Sequence, residues 1–217
     1  MVVSSKRSDD GLSGRGRILD ESKVSGWMDC AVDFGATYAE LRLVSNQNNS
    51  ITVRDGELRR AIPGQDLGAT LRVLADGAWG VHSTSDIDSI GLVVEDTVTL
   101  AKQVASRRPS KDVPVELAEI PIKKDVVHWT SKRDNRHVEL DEKLELLTDC
   151  DSAIRTDDRI VSTITGYSDE HIHTELITSE GMDRTWSFQR TVANAIITAR
   201  EDGEVASYRT RIGGGGG

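Results

Sequence analysis

The stretch Leu67–Ser85, LGATLRVLADGAWGVHSTS, restricts the fold more than any other part of the chain. Ala69, Leu71 and Val73 alternate with Thr70, Arg72 and Leu74, which is the period-two pattern of a half-buried strand. Asp76-Gly77 follows, a pair suited to a two-residue hairpin turn because both positions accept positive φ. The return arm sets Trp79 and Val81 on one face and Gly80 and His82 on the other. The hairpin thus carries much of the bulkiest apolar surface, and Trp79, like Trp186 and Phe188, is expected in the core. Nothing in this pattern points to a reaction.

The remaining elements are read around it. Val24, Trp27, Met28, Ala31 and Val32 recur at helical spacing and predict an amphipathic helix over 20–34, with Gly35 as its left-handed C-terminal cap. Tyr38 to Val44 reads as a strand and Asn46 to Ser50 as a polar turn. Ile51–Arg54 and Glu57–Arg60 flank Asp55-Gly56 as a further hairpin, and Pro63-Gly64 is expected to break the chain. Ser85, with Asp88 as a capping-box-like partner, opens a helix whose stripe is Ile87, Ile90, Val94, Val98, Ala101 and Ala105. It ends by Arg107-Arg108-Pro109.

Residues 109–139 read as an extended surface connection with a short strand at Val113–Leu117. Leu140, Leu144, Leu147 and Ile154 predict a third helix over 139–154. Strands are expected near 159–165, 171–178, 185–190, 191–200 and 204–209. The helix and hairpins of residues 20–82 recur after residue 139: Asp55-Gly56 corresponds to Glu180-Gly181, and Asp76-Gly77 to Asp202-Gly203. The predicted fold class is therefore α+β, a twisted and mostly antiparallel sheet with helices on one face. It is built from two related helix-plus-hairpin units at about 18–106 and 139–212 within one domain of residues 18–212. Residues 1–17 are expected to be a disordered tail and Gly213–Gly217 a flexible glycine-rich end.

Charge excludes some partners. With 36 acidic against 27 basic residues the net charge is −9, which disfavours non-specific binding to nucleic acid or anionic membrane. The single Gly14-Arg15-Gly16-Arg17 run is read as solvated linker. No run approaches the length of a membrane span and no signal peptide is evident, so a cytoplasmic location is expected. Cys30 and Cys150, without metal-type spacing, are read as small buried hydrophobes.

His171, His173 and Glu175 alternate on one strand and would point to one face, the one arrangement with metal-ligand chemistry. A solvated strand face accounts for them better, because the corresponding residues of the repeat, near 46–52, hold no ligands. The glycine run lacks the Lys and Ser/Thr of a phosphate loop, and no GxSxG elbow is present.

Three segments, Gly35–Leu43 (GATYAELRL), Ser50–Leu58 (SITVRDGEL) and Gly68–Thr84 (GATLRVLADGAWGVHST), taken in this order before a helix, resemble the N-terminal domain of the TldD/PmbA family. The resemblance covers residues 20–106 closely and 139–212 in pattern. It implies a zinc metallopeptidase acting on peptides or unfolded proteins, commonly with a TldD/PmbA-type partner subunit, and under the older label modulator of DNA gyrase. In that family an HExxxH helix supplies two zinc ligands and a general base. His82, His128, His137, His171 and His173 are the only histidines, and none opens that motif. The resemblance thus carries over no catalytic, cofactor-binding or metal residue, and the zinc is expected in a C-terminal half outside this sequence. The chain alone is expected to be an inactive module, with a stand-alone interaction protein as the alternative and a hydrolase using His171, His173 and Glu175 as the third reading.

Overall fold

The structure, a computed structural model, describes residues 17–109 and 112–215; nearly all of the expected N-terminal tail and its Gly-Arg run lie outside them. Helix α1 spans Glu21–Asp33. It starts where the Asp20 carboxylate accepts the backbone N–H groups of Ser22 and Lys23 at 2.8 and 3.4 Å, satisfying donors that have no partner within the helix. It ends at Gly35, whose φ of +98° lets Gly35 donate to Val32 O and Ala36 to Ala31 O, the paired bonds of a Schellman stop.

The strands are longer than their sequence boundaries suggested. β1 spans Tyr38–Arg54, β2 Glu57–Ala75 and β3 Ala78–Thr84. α2 spans Ile90–Ser106, β4 Lys124–His128 and α3 Leu140–Ile154. β5 spans Ile160–Thr178, β6 Asp183–Glu201 and β7 Glu204–Gly214. The sheet order is β3-β2-β1-β5-β6-β4, with β7 also paired to β6. The architecture is α+β as expected, and the order helix, strand, strand, strand occurs twice, as α1-β1-β2-β3 and α3-β5-β6-β7.

Two compact units share these strands. The first comprises residues up to Leu43, Gly68–Asp125 and Glu175–Arg184. Its core is aliphatic: Leu41, Leu43, Leu71 and Val73 of the strands meet Val24, Met28 and Ala31 of α1 and Ile90, Val94, Val98 and Ala101 of α2. Each of the larger side chains among these, fully buried, contributes roughly 1.5–3 kcal/mol. α2 packs directly on β3 at Gly80, where a Cβ would lie 2.2 Å from Thr97 O. The second unit comprises Val44–Leu67, Val126–Thr174 and the residues from Thr185 onward. Its apolar cluster is small: Ile51, Val53, Leu147 and Tyr167, with Leu144 against them.

Several expectations are corrected. Asn46–Ser50 is not a turn but part of β1, where Asn49 Nδ2 donates a hydrogen bond to Asp169 Oδ1 of β5 at 3.0 Å. Pro63-Gly64 does not end a strand: Asn48 occupies the space a side chain at Gly64 would need, and β2 continues through both residues. Likewise 159–165 and 171–178 are one strand, as are 185–190 and 191–200. The helix after β3 lacks the expected Ser85–Asp88 capping box; a 3-10 turn at Ile87–Ser89 precedes α2, and Thr84 Oγ1 accepts the Asp86 N–H instead. Val113–Leu117 is not a strand, and the only strand of that connection among the described residues is β4.

Gly80→Ala tests the helix-to-strand approach. The added methyl has no room against backbone, so a loss on the order of 1–3 kcal/mol is expected in urea unfolding.

Candidate functional site

The densest chemistry in the second unit lies under α3. Lys143, Leu147 and Asp151 follow one another at four-residue spacing and are the buried residues of that helix. Lys143 Nζ lies 2.7 Å from Asp169 Oδ2 and donates to Asn135 O at 3.0 Å; both charged side chains are 3% exposed. The same carboxylate accepts from Tyr167 OH at 2.8 Å and from Asn49 Nδ2 at 3.0 Å. Burial, reinforced by the hydrogen bond to Asp169, pushes the Tyr167 hydroxyl well above the usual tyrosine range. Gln189 and Asn135 complete the lattice. Gln189 Oε1 accepts Asn135 N–H at 3.0 Å, its Nε2 donates to Arg133 O at 2.6 Å, and Asn135 Nδ2 donates to Glu170 O at 3.0 Å.

Lysine beside aspartate and tyrosine is a set used for proton transfer, but here it is enclosed and each group is engaged by its neighbours. All three side chains are buried. The set fixes residues 133–143 against β5 and β6, a positioning task. At the far end of α3, Asp151 accepts the Thr163 hydroxyl, while Asp55 Oδ1 accepts Thr163 N–H at 2.8 Å and so ties down the β1–β2 turn. Sequence pattern alone does not single out Lys143, Asp151 or Asp169. The four-residue spacing through Leu147 was the available signal, masked by the leucines at 140 and 144.

His171 and His173 lie on β5 as expected. Burial, and next the Arg136 charge, hold His171 below the ordinary histidine range, with Asp134 acting the other way and His173 adding to the depression. Glu175 is occupied elsewhere, its Oε1 accepting Ile18 N–H at 2.6 Å. Among the described residues no three His, Cys, Asp or Glu side chains come together to hold a metal ion.

The outer face of the first unit carries Trp79, a residue expected inside. Trp79 is half-buried, with the Arg72 guanidinium 4.2 Å above its ring and Tyr38 edge-on at 6.0 Å. Glu40 ties the group together, accepting from Tyr38 OH at 2.8 Å and Arg72 Nη1 at 2.7 Å. Trp186 is half-buried and Phe188 exposed, so neither belongs to the core; alternation on the strands sends Gly80, not Trp79, inward. Cys30 packs on the core, but Cys150 is exposed, contrary to its reading as a buried hydrophobe. In the same first unit a cleft of about 160 Å³ is lined by Arg17, Met28, Ile177 and Met182, smaller than ligand pockets usually are. No helix among the described residues is long and apolar enough to cross a membrane.

Comparison with known proteins places this geometry. Residues 39–101 match the PmbA/TldA metallopeptidase domain 1 and residues 133–217 the PmbA/TldA metallopeptidase central domain, together more than half of the chain. A metalloprotease of Methanothermobacter thermautotrophicus is 31% identical over 144 residues, which are 66% of this chain and 30% of that protein. A Thermotoga maritima protein described as a modulator of DNA gyrase has a similar fold, with TM-score 0.73 at 16% identity over 90% of this chain and 43% of that one. TldE from Thermococcus kodakarensis gives TM-score 0.63 at 15% identity, over 88% and 42%. The chain therefore spans less than half the length of these relatives.

Two measurements probe the site. Lys143→Met leaves the Asp169 carboxylate buried without its cation and is expected to cost about 3–5 kcal/mol in urea unfolding, with Asp169→Asn added to it recovering part. For His171, a depressed folded value means that the unfolded chain takes the proton first as pH falls through about 6.5. Its stability contribution is complete above that value and declines below it. The urea midpoint should therefore drop between about pH 7.5 and 5.5, and drop less in His171→Gln.

Proposed function

The chain belongs to the PmbA/TldD metallopeptidase family, and from that premise we propose that it is a non-catalytic module of a peptidase that processes peptides or unfolded proteins. The observation that carries this reading is the pairing of two domain matches, the family's first and central domains, with relatives more than twice its length. Peptide-bond hydrolysis is then housed in the remaining part of the family's polypeptide, which supplies the zinc, its histidine ligands and a glutamate base. This module lends shape. Its open strand edges and half-exposed outer faces, such as that around Trp79, suit an extended peptide or a TldD/PmbA-type partner subunit.

The negative charge of the whole sequence supports a protein or peptide partner rather than direct contact with nucleic acid or membrane, and a cytoplasmic setting accords with it. A stand-alone interaction protein without proteolytic role is the second reading, favoured by the engagement of Lys143, Asp169, Tyr167 and Glu175 in internal contacts.

Purified chain supplied with zinc and an unfolded peptide is expected to give no cleavage. Addition of a TldD/PmbA-family protein carrying HExxxH should yield a complex that cleaves in a chelator-sensitive way. Chelator-sensitive cleavage by the chain alone overturns the proposal, and a stable complex that never cleaves establishes the second reading.

A further inference from the structure

The last hairpin of each helix-and-three-strand series turns on an Asp-Gly pair with both residues at positive φ: Asp76 and Gly77 at +51° and +71°, Asp202 and Gly203 at +49° and +88°. The registers correspond pair for pair. In β2–β3, Val73 faces Gly80, Leu71 faces His82 and Ala69 faces Thr84. In β6–β7, Ala199 faces Ala206, Ile197 faces Tyr208 and Ala195 faces Thr210. Directly opposed residues share one side of an antiparallel pair. Ala69, Leu71, Val73 and Gly80 therefore hold the same places in the first hairpin as Ala195, Ile197, Ala199 and Ala206 in the second.

The two faces differ in what covers them. In the first unit α2 lies on the face: Ile90, Val94, Val98 and Ala101 are buried, and Thr97 and Ala101 close on Gly80. In the second unit the matching face is only partly covered: Ala195, Ile197 and Ala199 are half-buried, while Ala206 is exposed, Tyr208 65% exposed and Ile212 71%. Its aliphatic ladder, with a small residue where a helix backbone would approach, has the composition of a covered surface.

We propose that this face of β6 and β7 seats an amphipathic α-helix, contributed by the part of the family's polypeptide that this chain does not span. The length of the relatives leaves ample chain for it. The first unit sets its chemistry: aliphatic residues at four-residue spacing, as Ile90, Val94 and Val98, with a small residue such as Ala101 nearest the strand. The inference rests on the internal repeat and stands apart from the assignment of proteolysis.

Tyr208 reports directly, since Tyr167 is buried and Tyr38 is bonded to Glu40. The probe is a form of the chain extended after Gly217 by a copy of Ser85–Pro109, which includes α2. In the unextended chain Tyr208 should nitrate with tetranitromethane at a rate independent of protein concentration. In the extended form that rate should fall roughly ten-fold, in the manner of a surface closed by a docked element. Ala206→Arg and, separately, Thr210→Arg should restore it, as should changing Val94 and Val98 of the appended copy to Ser. Three results overturn the proposal: an unchanged rate in the extended form, protection that survives both arginine variants, or protection of the unextended chain that grows with concentration, which marks a second copy as the occupant.

Discussion

Everything else in the molecule depends on three two-residue turns whose backbones are left-handed at both positions. Asp55-Gly56, Asp76-Gly77 and Asp202-Gly203 are the places where non-glycine residues take positive φ among the described residues. Aspartate tolerates that conformation better than most side chains, and the primed turn it forms matches the twist of the strands it joins. Because side chains alternate along a strand, a slip of one residue at any of these turns would exchange inside and outside. At the β2–β3 turn the register places Gly80 against α2 and Trp79 away from it, which explains an outer face bearing aromatic groups and a core that is almost wholly aliphatic.

The two units solve the problem of a modest apolar content differently. The first closes around aliphatic residues from two helices and its strands. The second has few such residues and holds its helix with a buried charge lattice around Asp169. A buried ion pair adds little net stability over an apolar pair of similar size, since desolvation offsets the attraction. Its worth is in geometry: Lys143 is satisfied only when Asn135 O and Asp169 converge on it, which a set of leucines would not demand. The lattice thus pins the stretch before α3 where hydrophobic packing alone would leave latitude.

Much of the fold was legible in the sequence. Helical spacing gave three helices within a residue or two, apart from the 3-10 entry to α2, and the Asp-Gly pairs gave the hairpins and the repeat. The misses share one cause. Polar runs such as Asn46–Ser50, and the Pro63-Gly64 pair, read as breaks because local propensity favours turns there, yet the long partner strands supply hydrogen bonds and side-chain space that keep them extended. The charges buried under α3 are hidden for the converse reason: Lys143 and Asp169 read as surface until the fold pairs them across 26 residues of chain, and Asp151 until it meets Thr163. Trp79 was placed inside on size, while the register decided otherwise.

The interleaving of the two units bears on how the chain matures during synthesis. The first unit takes its final pieces from Glu175–Arg184, and Ala39 N–H waits for the Ser179 hydroxyl, 140 positions further along. A ribosome will therefore have delivered residues up to about Arg184 before the first compact body has all its parts. Pairings of such wide separation fold slowly and leave strand margins open meanwhile. Nascent forms of this protein therefore expose unpaired strand margins for longer than a molecule with two sequential domains would.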